Sequence, residues 1–428
     1  MFQEISHCRI CGNQQLVEVL DLGTQALTGV FPRTRTQQVT TGPLRLVKCT
    51  GDREVCGLLQ LQHTYGLGEL YGENYGYRSS LNTSMVAHLH GKVRKILERV
   101  SLPDNALIID IGANDSTTLQ AYPQRYTLVG VDPVAKFDSC YPKNIQLISD
   151  FFSAATVERH LNGRKASVIT SFSMFYDLPE PLKFMQEICA VLDDEGIWVL
   201  EQSYMPTMLR RNSYDTVCHE HLEYYALKQI KWMADRVGLK IVDVEFNEVN
   251  GGSFSVVAAK QRSSHIESPQ VAKILNQETR EGLDTLRPYQ DFARRVAASR
   301  AALRKFLDHA RQSGKSVCAL GASTKGNVLL QYCNITQAEL ARVGEVNSEK
   351  FGSFTPGTLL PIAREEDVLV MQPNYLLILP WHFRSFFLKH PKLVGRNLVF
   401  PLPELEVIRC DGLGGSTTAE IPHAAIMT

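Results

Sequence analysis

The sequence predicts an α/β protein with two sheet-containing units behind a small, cysteine-bearing N-terminal unit. Short, nearly continuous apolar runs alternate with helix-like stretches through the middle of the chain, and a smaller series of such runs follows a charged helical stretch. Runs of this kind suit parallel strands covered by helices on both faces, as in a doubly wound sheet. A chain of 428 residues is long enough for two or three hydrophobic cores.

Composition excludes several classes of partner. Lys plus Arg and Asp plus Glu each total 45, so no global field recruits nucleic acid or an anionic membrane. The opening "MFQEISHCRI" lacks the basic and apolar regions of a signal peptide, and no run approaches the ~20 apolar residues of a membrane span. We therefore expect a cytoplasmic protein, monomeric or homodimeric, with a small-molecule partner, no nucleic acid and no membrane.

The N-terminal unit carries two cysteine pairs. Cys8 and Cys11 form a C-x-x-C, and Cys49 and Cys56 form a wider pair with six residues between them. Two such pairs supply the four soft ligands that a tetrahedral structural zinc requires. Buried thiols or a redox C-x-x-C are the alternatives, but the redox motif expects a thioredoxin-like setting that is absent here. The pattern predicts a zinc that stabilises the fold.

Helical and strand patterns alternate in the central unit. Residues 82–100 have an amphipathic helical period. The predicted strands are residues 106–112, 126–132, 166–173 and 196–203.

A glycine-containing turn follows the first of these strands in "IDIGANDSTTL". Asp110 ends the strand, Gly112 lies in the turn, and Asp132 ends the next strand 22 residues after Asp110. An adenosine-containing cofactor needs a turn whose backbone it can approach closely. It also needs an acidic side chain that accepts hydrogen bonds from the ribose hydroxyls. Asn114 stands at the second glycine of a dinucleotide motif, so the loop better fits S-adenosylmethionine. A purely structural turn is the alternative, and Ser173, at the end of the third strand, joins the predicted cofactor set.

Residues 267–311 are charged with an apolar helical stripe and are predicted to be linker helices. The strand pattern then restarts, and the predicted strands are residues 316–323, 343–347, 375–380 and 398–403. After the first of them, "GASTKGN" offers backbone amides, hydroxyls and a lysine that suit a diphosphate. The residues predicted to bind substrate here are Ser323, Thr324, Lys325, Asn327, Glu345, Asn347 and His382. A structural turn, and core positions for Trp381 and His382, remain alternatives.

The segment "CHEHLEYY", residues 218–225, concentrates histidine, glutamate and tyrosine. Metalloprotease helices place two histidines one helical turn apart, whereas His219 and His221 are only two positions apart. A metal site is therefore disfavoured, and an acid/base cluster or an ordinary polar turn remains.

Several stretches occur in an order that resembles one family. After the cysteine pairs come "CGLLQLQHTY", "GENYGYRSS", "IDIGANDSTTL", "CHEHLEYY", "VNGGSFSV", "GASTKGNVLLQ" and "LPWHF". In this order they resemble the zinc-containing, S-adenosylmethionine-dependent sugar C-methyltransferases, which act on nucleotide-linked 4-keto-deoxyhexoses. The resemblance implies a zinc-binding domain (1–68), a Rossmann-like class I methyltransferase core (69–262), and linker helices with a second Rossmann-like α/β domain (263–428) that helps to hold the nucleotide sugar.

The resemblance also implies site residues. Gly112, Asn114 and Asp132 match cofactor positions, and Glu220 and His221 match catalytic positions. Tyr75 and Tyr77 match tyrosines that face the active site, and we group them with the cofactor. Three departures are Ser116 where the family often has glycine, Cys218 where some members have tyrosine, and Tyr176 where some have histidine. The last two concern which sugar and which carbon are used.

The chemistry implied by the resemblance requires a base, because a carbon becomes nucleophilic only after losing a proton. A ketone on the next carbon makes that proton acidic and yields an enolate. We expect His221 to be the base, with His219 as the alternative, and Glu220 to orient an imidazole or bind a sugar hydroxyl. Tyr176, Tyr224, Tyr75 or Tyr77 would donate to the enolate oxygen.

The expected reaction is methylation of a dTDP- or GDP-linked 4-keto-6-deoxy sugar at C3. Methylation at C5 or of an oxygen or nitrogen acceptor is the alternative among enzymes. A zinc-containing binding module without catalysis is the alternative outside them.

Overall fold

The computed structural model describes residues 2–52, 54–70, 78–412 and 416–418. Its N-terminal part is built on antiparallel strands whose inward positions are apolar, as Leu44 and Leu46 show in β3. The elements are β1 (Phe2–Glu4), β2 (Leu16–Ala26), β3 (Thr41–Cys49), β4 (Leu59–Leu61), β5 (His63–Tyr65) and the short helix α1 (Leu67–Leu70). Strand β3 pairs with β2 and β4, and β1 pairs with β5.

The central part alternates strands and helices as predicted. Its elements are α2 (Thr83–Arg99), β6 (Leu107–Ile111), β7 (Thr127–Val131), β8 (Ile145–Ile148), α3 (Ala154–Leu161), β9 (Ala166–Phe172), α4 (Pro181–Val191), β10 (Leu192–Ser203), α5 (Met205–Arg210), β11 (Glu223–Tyr224), α6 (Leu227–Arg236), β12 (Leu239–Asn247) and β13 (Ser253–Lys260). The Asn82 side chain caps α2 by accepting from the amides of Ser84 and Met85, which explains where the helix begins.

The order of strands in the central sheet creates the ligand edge. It runs β12-β13-β10-β9-β6-β7-β8, with β13 antiparallel to both neighbours and the other pairs parallel. The chain therefore reverses its direction of winding between β6 and β9. At such a switch point the loops leave in opposite directions and open a crevice at the carboxyl ends of the strands.

Both faces of the sheet are buried, which accounts for its continuous apolar strands. Ile108 packs with Val168 on one face, while Ile109 packs with Ile169 on the other. A strand with water on one face would need polar residues at every second position. The predicted Rossmann-like architecture is confirmed.

The C-terminal part repeats this architecture on a smaller scale. Helices α7 (Pro269–Arg280) and α8 (Arg287–Gln312) confirm the predicted linker helices. They lead into β14 (Val317–Leu320), α9 (Thr324–Tyr332), β15 (Val343–Glu345), β16 (Ile362–Arg364), α10 (Glu365–Val370), β17 (Tyr375–Ile378), α11 (Arg384–Lys389), β18 (Asn397–Phe400), β19 (Glu406–Cys410) and β20 (Ser416–Thr418). The sheet order is β16-β15-β14-β17-β18-β19-β20, parallel as far as β18.

Across the described ranges, no helix is both long enough and apolar enough to cross a lipid bilayer. The predicted domain boundaries after residues 68 and 262 stay predictions. One element departs from that linear division, because β11 pairs with β4 and so extends the N-terminal sheet.

Side chains from the C-terminal part reach both other parts. The Gln331 side chain accepts from the Ala26 amide at 2.7 Å and donates to its carbonyl at 3.2 Å. Asn327 Nδ2 donates to the Thr28 carbonyl at 2.8 Å. Trp381 Nε1 donates to Asp215 Oδ2 of the central part at 2.8 Å. The three parts of the chain thus meet around one junction.

The pair Gly251-Gly252 serves the backbone beside this junction. Gly252 has φ +125°, and a Cβ there would lie 2.4 Å from Thr207 Cγ2. We expect Gly252→Ala to lower the free energy of unfolding by about 1–3 kcal/mol through strain and overlap. Chemical denaturation measures this.

Gly91 is the matched control, because it lies inside α2 and a Cβ there meets only the tip of Arg94, at 3.5 Å. Gly91→Ala should stabilise by about 0.5–1 kcal/mol. Equal effects of the two substitutions would contradict the assignment of strain to Gly252.

Candidate functional site

The four N-terminal cysteines converge on one point. Their sulfurs all lie within 4.8 Å of one another. Cys8 Sγ is 3.5 Å from Cys56 Sγ, and Cys11 Sγ is 3.6 Å from Cys49 Sγ. Tetrahedral zinc with bonds of ~2.3 Å would hold its sulfurs about 3.8 Å apart, so the cluster fits the metal. All four positions would be filled by thiolates, which makes this a structural site.

Local hydrogen bonds form each cysteine turn. The Gly12 amide donates to the Cys8 carbonyl at 3.0 Å, and Gly12 has φ +71°. The Cys49 amide donates to the Leu58 carbonyl at 2.8 Å, which brings the second pair together in spite of its wide spacing.

The glycine loop lies at the carboxyl edge of β6 and β7. Gly112 (φ +69°), Asn114 (φ +51°) and Ser116 (φ +63°) all adopt left-handed backbone conformations. Asparagine tolerates this region better than most residues, which accounts for Asn114 at the second glycine position. Ser116 holds the conformation that glycine would adopt most easily, so the departure from the family changes the residue while the loop keeps its turn.

Asp132 binds the same loop through both carboxylate oxygens. Oδ2 accepts from the Asn114 amide and Oδ1 from the Val134 amide, each at 2.8 Å. A carboxylate oxygen can accept two hydrogen bonds, so each retains a lone pair for a ribose hydroxyl. Burial raises the pKa of Asp132. The loop and this carboxylate fit the adenosine portion of S-adenosylmethionine.

The other predicted cofactor residues have different positions. Asp110 is buried beneath the loop, accepts from Thr170 Oγ1 at 2.5 Å, and has its pKa raised to about 7 by burial. Ser173 follows β9 with φ +56°, and its amide donates to the Glu201 carbonyl. Tyr75 and Tyr77 lie outside the described residues.

The next residues after that gap contact the glycine loop. The Ser79 amide donates to Asn114 Oδ1 at 3.1 Å, and the Ser80 amide donates to Asp115 Oδ2 at 3.0 Å. The chain from residue 79 onward therefore begins in contact with the predicted cofactor loop.

The segment 218–225 connects the central and N-terminal sheets. Its last residues form β11, in which Glu223 pairs with Gln60 and Tyr224 with Leu59. The Leu61 amide also donates to the Leu222 carbonyl at 2.8 Å. Residues 219–221 therefore lie just before β11. This strand belongs to the same sheet as β3, which ends at the cluster residue Cys49.

His221 is held as a neutral imidazole, and its Nε2 has no hydrogen-bond partner among the described residues. Its Nδ1 lies 2.9 Å from the Thr216 carbonyl, which can only accept, so the proton is on Nδ1 and Nε2 is the acceptor. Burial, and then the positive charge of Lys325, lower the pKa of His221 to about 4. The Tyr176 ring lies 4.3 Å from the imidazole, centroid to centroid.

Glu220 and His219 face the N-terminal part. A Cβ on Gly29 would lie 3.1 Å from Glu220 Oε1, so this loop closely approaches the carboxyl group. Burial raises the pKa of Glu220. His219 is fully buried against the edge of Tyr65, with Nε2 3.4 Å from the Gly42 carbonyl. The position of His219 suits packing of the segment, whereas Glu220 and His221 border the junction.

The C-terminal part brings charge to His221. Lys325 Nζ donates to the Asn250 carbonyl at 2.7 Å, and burial lowers the pKa of this lysine. Trp381 Nε1 donates to Asp215 Oδ2 at 2.8 Å. The charge of Lys325 acts on both His221 and His382, and burial followed by this charge lowers the pKa of His382 to about 3.

The remaining predicted substrate residues make local contacts. Ser323 Oγ caps α9 by accepting from the Gly326 amide, and Thr324 begins that helix. Glu345 Oε1 accepts from the amides of Val346 and Asn347. Lys350 Nζ donates to the Ala322 carbonyl at 2.7 Å, and this bond brings residues 345–350 beside the loop before α9.

Buried polar atoms without partners gather at the junction. Within the described residues, four such atoms belong to side chains that border the junction, namely Glu220 Oε2, Asp215 Oδ1, Asn327 Oδ1 and His382 Nδ1. A buried polar atom without a hydrogen bond costs roughly 1–3 kcal/mol. Atoms of this kind take their hydrogen bonds from ordered water or from a bound ligand.

Sequence reasoning missed several residues of this junction. Asp215 lies three positions before Cys218, so its nearness in the chain was an available signal. Asn250 acts through its carbonyl, and Thr28 and Gly29 lie almost 200 residues away from Glu220. No local pattern indicates these three.

Three family models match consecutive parts of the chain. They are described as "Putative zinc binding domain" over residues 8–71, "Methyltransferase domain" over 85–244, and "C-methyltransferase C-terminal domain" over 248–403. The C-methyltransferase NovU of Streptomyces niveus is 29% identical over 415 residues, which are 95% of this chain and 98% of NovU.

Solved structures show weaker likeness. The plantazolicin methyltransferase BpumL, in complex with a triazolic desmethylPZN analog and SAH, is 10% identical and has a TM-score of 0.34. The match covers 43% of this chain and 88% of the BpumL chain. LepI in complex with SAM is 16% identical with a TM-score of 0.32, over 43% and 54% of the two chains. Likeness at this level carries no functional argument.

Fold, cysteine cluster and family matches together define a methyltransferase that uses S-adenosylmethionine and carries a structural zinc domain. The chain carries these three domains in this order, with the C-methyltransferase C-terminal domain last. The predicted fold class, enzyme class and cofactors are thereby confirmed.

The zinc assignment predicts one zinc per chain. Cys49→Ser should lose most of the metal and unfold at a lower temperature, because a ligand is removed from a closed tetrahedral site. Metal analysis and thermal melting measure both effects. The control is Cys189→Ser, a half-buried cysteine outside the cluster, which should keep its zinc. Full zinc content in Cys49→Ser would contradict the assignment.

The buried His219 predicts a pH dependence of stability. Burial lowers its pKa from 6.5 to about 4, so below pH 6.5 the unfolded chain binds a proton that the folded chain refuses. The contribution to stability falls as pH decreases from 6.5 toward 4, by about 2 kcal/mol between pH 7.5 and 5. His219→Gln should reduce this loss in denaturation at the two pH values. The exposed His309→Ala should match wild type, and equal losses in all three proteins would contradict the prediction.

Proposed function

We propose that the enzyme methylates C3 of a 4-keto-6-deoxy sugar linked to dTDP or GDP. The supporting observation is the state of His221, whose Nδ1 is occupied by the Thr216 carbonyl and whose Nε2 is left as a proton acceptor. A ketone on the neighbouring carbon is the group that lets an imidazole remove a carbon-bound proton near neutral pH. A methyltransferase acting on a hydroxyl can also use such a base, so exchange of the C–H hydrogen is what distinguishes the two acceptors.

In the proposed reaction, His221 Nε2 takes the proton from the carbon beside the ketone. The C–H bond breaks, and its electron pair moves into the enolate, whose oxygen carries the negative charge. Tyr176, in ring contact with His221, donates its hydroxyl to that oxygen, with Tyr224 as the alternative donor. S-adenosylmethionine, when bound beside Asp132, supplies the methyl group.

Lys325 connects substrate binding to the strength of the base. In the ligand-free protein its positive charge disfavours a protonated His221. A diphosphate bound by Lys325 and the start of α9 would offset that charge and raise the pKa of His221. The base would therefore gain proton affinity when the substrate is in place. Glu220, with an unsatisfied buried oxygen, is proposed to bind a sugar hydroxyl.

The test is hydrogen exchange at the sugar carbon in deuterated buffer, first without and then with S-adenosylmethionine. Wild type should exchange the C3 hydrogen without cofactor and methylate C3 with it. His221→Ala should slow both by at least about 100-fold, the contribution expected of a general base. His309→Ala, an exposed histidine of α8, is the matched control and should keep both rates.

Other results assign different chemistry. Loss of exchange in His219→Ala, with exchange retained in His221→Ala, would transfer the role of base to His219. Exchange at C5 would move the reaction to that carbon. Methylation without any C–H exchange would identify an oxygen or nitrogen acceptor, and no reaction with dTDP or GDP sugars would refute the sugar substrate.

A further inference from the structure

Arg9 lies between the zinc ligands Cys8 and Cys11, and its side chain is built into the N-terminal sheet. Its backbone amide donates to Gln60 Oε1 at 3.1 Å, and Nη1 donates to the Leu61 carbonyl at 2.6 Å. Nη2 donates to the His63 carbonyl at 3.2 Å and to Thr64 Oγ1 at 2.8 Å. Only 3% of the side chain is exposed.

The same guanidinium faces Glu223 of β11. Arg9 Nε lies 3.6 Å from Glu223 Oε1, and the glutamate side chain is completely buried. Within the described parts of the chain, neither Glu223 oxygen has a hydrogen-bond partner. Removing the cation from such a pair would leave the carboxyl group buried without compensation.

Strand β11 needs this support because it has only two residues. Its ladder consists of Glu223 with Gln60 and Tyr224 with Leu59. Arg9 holds β4 through Leu61 and Gln60, and it also holds β11 through Glu223. The turn between two zinc ligands therefore contacts the strand that follows His221 by two positions.

We propose that Arg9 is a positioning residue. By contacting Glu223, it couples the ordered turn at the zinc site to the position of the segment 219–222. The inference rests on the proposed function only in taking this segment to be catalytic. It makes the zinc domain part of the apparatus that sets the base, in addition to its contribution to stability. Coupling between two sites is reciprocal, so changes at Glu223 should also be felt at the zinc.

The first test is amide hydrogen exchange followed by mass spectrometry, which needs no sugar substrate. In Arg9→Gln, amides of residues 219–224 should exchange at least tenfold faster than in wild type, while those of β14 and β17 stay unchanged. Zinc content should remain one per chain. Unchanged exchange in 219–224, or equal acceleration in every sheet, would overturn the proposal.

The matched control is Arg45→Gln. Arg45 belongs to the same sheet, but its ion pairs with Glu18 and Asp21 are partly exposed. This variant should leave exchange in 219–224 within twofold of wild type. A similar acceleration in Arg45→Gln would show that any arginine of the sheet has the effect, and would overturn the specific role of Arg9.

The second test is rescue by Glu223→Gln. A neutral amide needs no counter-charge, so Arg9→Gln/Glu223→Gln should recover part of the protection lost in Arg9→Gln. Glu223→Gln alone should release zinc to a chelator at least threefold faster than wild type. Additive losses in the double variant, or unchanged zinc release in Glu223→Gln, would overturn the coupling. Glu223→Gln keeps the test decisive if Arg9→Gln fails to fold.

Activity then separates positioning from binding. Arg9→Gln should lower kcat at least tenfold with KM for the sugar within threefold, and Arg9→Lys, which keeps the charge, should be intermediate. An increase in KM for the sugar with kcat unchanged would contradict a positioning role. If wild type itself methylates no sugar, the exchange and zinc measurements still decide the coupling, so the two proposals fail separately.

Discussion

A two-residue strand cannot hold its own position, and the rest of the site depends on how β11 obtains its support. Its backbone pairs with β4, and its Glu223 side chain contacts Arg9, which lies between Cys8 and Cys11. Of the residues just before β11, Glu220 approaches Gly29 of the N-terminal part, whereas His221 is under the charge of Lys325 from the C-terminal part. The segment proposed to be catalytic therefore depends on a contact with the N-terminal part, which also carries the cysteine cluster.

The junction buries several polar side-chain atoms that have no hydrogen-bond partner among the described residues. Glu220, Asp215 and Asn327 each bury an oxygen that has no partner in the described chain. A protein selected only for stability would pair or replace such atoms. A polyhydroxylated ligand at the junction, as the proposed nucleotide sugar would be, could complete hydrogen bonds to these oxygens.

Electrostatics and burial lower the proton affinity of His221. Burial and Lys325 both favour neutral His221, which keeps Nε2 available but reduces its affinity for a proton. In the proposed function, an anionic substrate bound by Lys325 would offset this charge, and proton abstraction by His221 would then be favoured when substrate is present.

The sequence by itself determined the elements whose causes are local. The cysteine pairs, the apolar runs of β6, β7, β9 and β10, and the offset between Asp110 and Asp132 follow from ligand chemistry and burial within short stretches of chain. The family resemblance further selected "CHEHLEYY" as the catalytic candidate. Only the tertiary structure decided which side chains surround it: Thr28 and Gly29 beside Glu220, Lys325 acting on His221, and Arg9 against Glu223. These contacts join residues about 100 to more than 200 positions apart, and no helical or strand period connects them, because they arise from how whole sheets pack against each other.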